Sequence, residues 1–524
     1  MTISPTVEQD PVDVLVIGGG ISGLTMAHEL AERGLRVRVL EKGQGLGGKA
    51  ISYNTQPHNL PGEHGPHFFP AFYAHFQSIL TRIPLDPAKP QAGYVPDQLV
   101  SIQPASPRTR QQDKTWRERL DGLLMFVGFF NLGLIAPHRS QTRYTTVSFR
   151  DYFDVASRST RTQKRFNGPQ TLLAARTDLC DATTICDFYF TALRWPRNQV
   201  LRTFPAPTHL ALFAPWRAYL EHVLGVRFHC GVEIERVSLR ADGHVDTIVD
   251  TNGQSHKARY YAFCVPVEIL RQLVTANQGL MPLSKSFASL SRLDAACYGG
   301  IQLFLRGKTP ALARKIFEPD HPWLLVGLDH SSYFQAPHCR DFTVFSTIIA
   351  EWDKPGQFIK KPARHCTPDE LIAEKLAVLK SHFPEADFEL EGYSIDPTLR
   401  YDPEKGWHCT SPLFISRTGT FDCRPLPGFH GPNLTLAGDF TRTTNVLTAS
   451  MESACESGRR AAKAILDREN KGDGMRLNLS GLPRWCRFVR AVDGLLFRLG
   501  LPNPLDLLYR LLRRALKRRG LVEK

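Results

Sequence analysis

Residues 18–23, Gly18-Gly19-Gly20-Ile21-Ser22-Gly23, can bind phosphate without a single charged side chain. They make a Gly-x-Gly-x-x-Gly turn between an apolar run at 12–17 and a helix-period segment that closes at Gly34. In such a turn Gly18 permits the tight bend, and Gly20 lets the backbone approach a pyrophosphate. Gly23 lets strand and helix pack closely. Ser22 lies in the first helical turn, where backbone N–H groups and the positive end of the helix dipole face the phosphates. Residues 36–40 repeat a strand pattern and end at Glu41, placed to accept hydrogen bonds from a ribose. Strand, glycine turn, helix, strand and acid in register predict a Rossmann-like α/β unit that binds a dinucleotide.

Other chemistries find less support. A Gly-x-Ser-x-Gly elbow and a P-loop are absent from the sequence. His58, His64, His67 and His75 invite a metal reading, but Glu63 alone does not complete a ligand set, so no metal is expected. The 11 cysteines are scattered without a Cys-x-x-Cys pair, which predicts reduced thiols rather than a disulfide framework.

Glu41 leads directly into Lys42-Gly43-Gln44-Gly45-Leu46-Gly47-Gly48-Lys49. This second glycine turn predicts another backbone approach to the same ligand, with Lys42 or Lys49 offsetting phosphate charge. The two turns together resemble the N-terminus of the FAD-dependent amine oxidase and carotenoid (phytoene, zeta-carotene) desaturase superfamily, with Lys49 at its basic position. The resemblance implies FAD as the cofactor. Gly62-Glu63-His64-Gly65-Pro66-His67-Phe68-Phe69, followed by Tyr73, is similar to a desaturase segment, one residue shorter between the histidine and the second Phe. That likeness implies that Gly65 and His67 lie near the isoalloxazine, with His67 as the candidate catalytic residue. Residues 434–466 resemble the same family's closing signature, an Ala-Gly-Asp strand end followed by an Ala-Ser-Met-Glu helix start and Ser-Gly-Arg. There Gly438 permits close approach, Asp439 can bind ribityl or pyrophosphate groups, and the helix opening at Ser450 and Met451 aims its dipole at the flavin. Residues 226–239 resemble the segment whose aliphatic residue covers the adenine, here Ile234, and 262–270 resemble the return to the FAD domain.

By this resemblance the chain is an FAD-dependent oxidoreductase, a dehydrogenase or desaturase of a lipophilic polyene or isoprenoid taken from the membrane. A quinone or oxygen would accept the electrons. A flavin amine oxidase, a carotenoid-ring desaturase/methyltransferase and an isomerase share every FAD motif and remain alternatives. The aromatic pair and flavin-side lysine usual in amine oxidases cannot be located in the sequence. Aromatic stripes such as Phe68, Phe69, Phe72, Tyr73 and Phe76, with Phe188, Tyr189 and Phe190, are more often core than tunnel, but combined with the basic apolar tail they favour a lipophilic substrate drawn from the bilayer.

The elements that must position these residues are discontinuous. At 524 residues more than one domain is expected. Residues 1–82, 223–275 and 425–470 carry the dinucleotide pattern. Residues 83–222 and 276–424 read as an inserted mixed α+β substrate domain, with helices expected at 145–157, 172–184, 210–222 and 369–383. Residues 475–524 form a basic tail. Its twelve Lys/Arg against three Asp/Glu carry +9 of the formal +14. Leu, Phe and Trp recur there at helical spacing between arginines. This predicts two amphipathic helices lying on an anionic membrane surface, with docking on the folded body as the alternative. The apolar face is too large for simple phosphate tracking, so nucleic acid is not expected. Residues 123–136 are apolar except Asn131 but too short to span a bilayer, which fits a core helix or a monotopic insertion. The N-terminal segment 1–13 has no apolar h-region, so the expected location is cytoplasmic, peripheral to the inner face of the membrane.

Overall fold

Val14–Ile17 is fully buried and apolar, which suits a central parallel strand covered on both faces. In the computed structural model it lies between Tyr260–Phe263 and Val37–Glu41, with Val14 in register with Tyr260 and with Val37. The structure describes residues 12–55, 60–104, 115–166, 176–193, 201–306, 310–317, 319–335, 342–477 and 483–518. The N-terminal segment 1–11, His58, residues 172–175 of an expected helix and residues 519–524 of the tail lie outside these. The sheet runs Gly428–Phe429, Leu434–Leu436, Tyr260–Phe263, Val14–Ile17, Val37–Glu41, Arg227–Cys230. Every pairing is parallel except that of the Gly428–Phe429 edge strand. Three distant stretches of chain therefore build one dinucleotide-type α/β layer.

Two helices on this sheet hold its distant parts together. Ile21–Ala31 follows the glycine turn and packs against Met451–Arg468 from the far end of the chain. They cross at Gly458, where an added Cβ would stand 2.4 Å from the Ser22 carbonyl oxygen. Beside the crossing, the buried Glu29 carboxylate receives Arg33 at 2.7 Å, Arg82 at 2.6 Å and Arg459 at 2.8 Å. Burial pushes the Glu29 pKa up, but these guanidiniums outweigh it and hold the carboxyl below its ordinary value.

A second sheet has eight strands, in the order Leu390–Ile395, Gly299–Arg306, Phe342–Ile349, Leu325–Asp329, Lys315–Phe317, Val100–Pro104, Leu201–Thr203, Phe68–Phe69. It is antiparallel except where Lys315–Phe317 meets Val100–Pro104. Pro368–His382 covers one face through Leu371, Ile372, Val378 and Leu379. Phe68–Phe69 belongs to this sheet although it falls within the stretch 1–82 expected in the dinucleotide layer, and the chain has already reached the second sheet by Glu63. The helix expected over 172–184 begins only at Ala182. Residues 176–181 bridge to Ser148 and Arg417 instead, and Asp181 receives the Thr184 N–H at 2.8 Å, which starts the helix there.

The tail forms two helices, Arg484–Arg498 and Pro504–Arg518. Both dock on the body, as the alternative reading of the tail expected. The buried Asp493 carboxylate binds Arg139 at 3.0 Å, the Ala136 N–H at 2.8 Å and Asn503 at 2.6 Å. Tyr509 stacks on Tyr152 with ring centroids 5.3 Å apart. Trp116–Leu134 and Pro137–Arg143 meet at 117°, and among the described residues no single helix is long and apolar enough to cross a membrane.

Because the helix crossing leaves no room for a side chain, Gly458→Ala is expected to lower stability by about 2 kcal/mol. Urea denaturation of the two proteins checks this, and equal midpoints would mean that the crossing relaxes freely.

Candidate functional site

The two glycine turns lie on one another. Gly47 donates its N–H to the Gly19 carbonyl at 2.8 Å, Gly20 bridges to Gly47, and a Cβ on Gly48 would stand 3.2 Å from the Gly20 Cα. Gly18 has φ +104° and sits against the Cys264 carbonyl, 2.5 Å from where a Cβ would be, so both conformation and space demand glycine. One carboxylate ties the turns together. Glu41 Oε2 accepts the Gly19 N–H and Oε1 accepts the Gly43 N–H, each at 2.6 Å.

A cradle remains beside them. A Cβ on Gly20 would find nothing closer than the Gly48 Cα at 3.8 Å. Ile21–Ala31 starts at Gly20 with no side-chain cap and no acid in its first turn, which leaves its first N–H groups and its dipole available to an anion. Small backbone on both sides, an uncapped helix start and a carboxylate at the strand end fit a dinucleotide diphosphate and its ribose.

The remaining expected residues fall around this cradle. Gly231 donates to the Gly43 carbonyl at 3.1 Å and Val232 to that of Glu41 at 2.9 Å, which brings Ile234 alongside the end of the Glu41 strand. Lys42 pairs with Glu233 at 2.7 Å on the surface. Lys49 binds Glu268 at 2.8 Å and the Pro412 carbonyl. Asp439 lies near Lys49, Glu268 and Arg424. Burial raises its pKa, against the pull of the two cations. Gly438 donates to Ser457 Oγ at 2.9 Å, and the buried Arg424 holds the loop beyond it through the Phe440, Thr441 and Leu447 carbonyls. Ser450 caps Met451–Arg468 by accepting the Ser453 N–H at 3.1 Å, so Met451 is the first residue of that helix.

Residues 63–67 lie flat on the second sheet. A Cβ on Gly300 would stand 2.2 Å from the His64 carbonyl oxygen, and one on Gly65 would stand 2.7 Å from Ile348 Cγ2. The histidines go to separate partners. His64 meets Asp396 at 2.5 Å. His75 is buried beside Arg459 and Glu456, and burial pushes it down to about 4. His67 Nδ1 faces Glu63 Oε2 at 3.4 Å, while its carbonyl accepts from Thr203 at 2.6 Å. Among the described residues no group of three or more His, Cys, Asp or Glu gathers as a metal site would.

Two members of this cluster were not foreseen as functional residues. Glu63 is buried, and His330 Nε2 faces it at 3.6 Å from the other side. Burial acts to raise the Glu63 pKa, but His330 and His67 outweigh it and hold the carboxyl below its ordinary value. Burial lowers that of His330. Glu63 was legible as the residue four before His67. His330 follows the Leu325–Asp329 strand and carries no local signal.

The family profile for flavin containing amine oxidoreductases matches residues 21–466. A carotenoid phi-ring synthase of Streptomyces griseus is 25% identical over 505 residues, covering 88% of this chain and 88% of that protein. A 15-cis-phytoene desaturase of Glycine max is 25% identical over 252 residues, and this match spans 46% of the chain and only 40% of that enzyme. Among solved structures, putrescine oxidase with bound putrescine superposes with a TM-score of 0.65 at 14% identity, covering 88% of this chain and all of that one. The dinucleotide is therefore FAD. Replacing Glu41 by Ala removes a charged acceptor from the cradle and is expected to weaken FAD binding about tenfold or more. Fluorescence titration with FAD measures this, and an unchanged Kd would remove Glu41 from the site.

Proposed function

The chain belongs to the family of flavin-containing amine oxidoreductases and is an FAD-dependent oxidoreductase. On that premise we propose that it dehydrogenates a lipophilic polyene of the carotenoid class, at or next to a ring end group. One observation carries the reading. A single apolar cluster runs from the surface helices to the second sheet beside residues 63–67. It takes in Met125 and Phe129 of Trp116–Leu134, Tyr509 of the tail, and the aromatic layer Phe149, Tyr152 and Phe153. It reaches Ile348, against which Gly65 rests, and Leu413, next to the Pro412 carbonyl that Lys49 binds. A substrate led to the cofactor past these side chains would have to be apolar, since a charged amine would lose its hydration there without compensation. The match to the carotenoid phi-ring synthase along most of both chains supports a ring end over an open chain.

In this reading Gly18, Gly20, Ser22, Gly23, Glu41, Gly48, Ile234, Gly438, Asp439 and Met451 hold the cofactor. Bound FAD supplies the two-electron acceptor. When a C–H bond next to the polyene gives up its hydrogen with the electron pair, the adjacent carbon must lose a proton. His67 is the group for that proton. Its Nδ1 is turned to Glu63, which fixes the ring and leaves Nε2 as the acceptor. Glu63, itself backed by His330, stabilises the imidazolium that results. The electrons leave to a membrane quinone or to oxygen.

Lipid extracts of cells with and without the protein test the substrate class by mass. A polyene retaining two more hydrogens in the deficient cells supports the reading, and accumulation of a polar amine instead overturns it. With the substrate in hand, His67→Ala is expected to lower kcat about 10²-fold with FAD still bound. Glu63→Gln should be intermediate, and a full rate in His67→Ala would take His67 out of the chemistry.

A further inference from the structure

The tail helices expose more large apolar side chains than they bury. The side chains that Arg484–Arg498, Pro504–Arg518 and the turn between them bury against the body include the polar Asp493, Asn503 and Asp506 beside Cys486 and Tyr509, and Tyr509 donates its hydroxyl to the Tyr152 carbonyl at 3.1 Å. The side chains facing outward are Trp485, Phe488 (69% exposed), Val492, Leu495 (58%), Leu499, Leu501, Leu507, Leu508 and Leu511. A helix docked in water buries most of its apolar stripe, and these leave most of theirs outside while burying three polar side chains. Trp116–Leu134 continues the surface. Trp116, Leu123 and Phe126 are exposed at helical spacing, and Phe130, in ring contact with Phe126 at 4.4 Å, packs with Val489 and Leu505 of the tail.

Charge identifies what covers this face. The two acids of the described tail are both buried, Asp493 on Arg139 and Asp506 beside Asn131. Arg484, Arg487, Arg498, Arg510 and Arg514 are exposed among the apolar side chains. A second copy of the chain would bring arginine against arginine across a two-fold axis. Anionic headgroups would meet these cations while the acyl region receives the Leu and Phe side chains, and tryptophans such as Trp116 and Trp485 suit the interface between the two.

We propose that Trp116–Leu134 and the two tail helices together form a monotopic insertion surface for an anionic lipid bilayer. The helices lie in the interface and do not span it. The buried polar side chains of the tail latch it to the body, so the insertion surface is preformed and does not fold on contact. This surface does not depend on which substrate the flavin site oxidises.

Flotation of the FAD-loaded protein with phosphatidylglycerol vesicles and with phosphatidylcholine vesicles tests the proposal. The protein is expected to float with the anionic vesicles and more weakly with the zwitterionic ones, and high salt is expected to reduce the first toward the second. The double variant Phe488→Glu/Leu508→Glu touches only exposed positions. It should lose at least tenfold in vesicle partition with FAD content and melting temperature unchanged. Failure of the unmodified protein to float overturns the proposal. So does a stable dimer in solution that the same variant dissolves, which would assign the face to a second copy.

Discussion

Everything in this structure rests on the contact between two glycine turns. The Gly47 N–H on the Gly19 carbonyl and the Glu41 carboxylate shared between Gly19 and Gly43 lock the first turn to the second. No side chain fits where Gly18 meets the Cys264 carbonyl, and a Cβ on Gly48 would press on the Gly20 Cα at 3.2 Å. The contact leaves an open edge at Gly20 over an uncapped helix start, which is the space a pyrophosphate needs. The second turn then directs the chain through Lys49 toward Glu268 and Pro412 and onward to residues 63–67 on the other sheet.

The far end of the chain closes the same unit with three consecutive residues. Ser457 receives the Gly438 N–H, Gly458 admits the Ser22 backbone, and Arg459 enters the Glu29 cluster. A helix about four hundred residues downstream thus sets the position of the first one. These contacts also explain why the cofactor layer was legible in the sequence. Close backbone approach needs glycine at fixed spacing, and a strand–turn–helix unit writes that spacing locally. The close approaches at Gly18 and Gly23 follow from neighbours a few residues away, Glu41 from its distance along one strand–helix–strand unit, and Gly438 was marked only by the family resemblance.

What sequence alone did not reveal depends on pairings across long separations. His330 reaches Glu63 only because the second sheet folds over the 63–67 segment. Phe68–Phe69 joins that sheet rather than its neighbour in sequence, because Thr203 and Arg202 offer it an edge. The late helix start at Ala182 follows from Asp181 acting as its cap, a choice the apolar periodicity of 172–184 does not express. For the tail, helical spacing showed two amphipathic helices but not which face turns inward. That orientation was decided by Asp493 and Asp506, whose partners Ala136, Arg139 and Asn131 lie on the body, with Asn503 bonded to Asp493 between the two helices.

The central claim is that the stacked turns and Glu41 bind the adenylate half of the cofactor, through pyrophosphate and ribose. Titrating the apoprotein with FAD and, separately, with FMN tests it most directly, since FMN carries the same ring system without the adenylate half. FAD is predicted to bind at least about a hundredfold more tightly, equivalent to about 2.7 kcal/mol. Equal affinity for the two flavins would contradict the account.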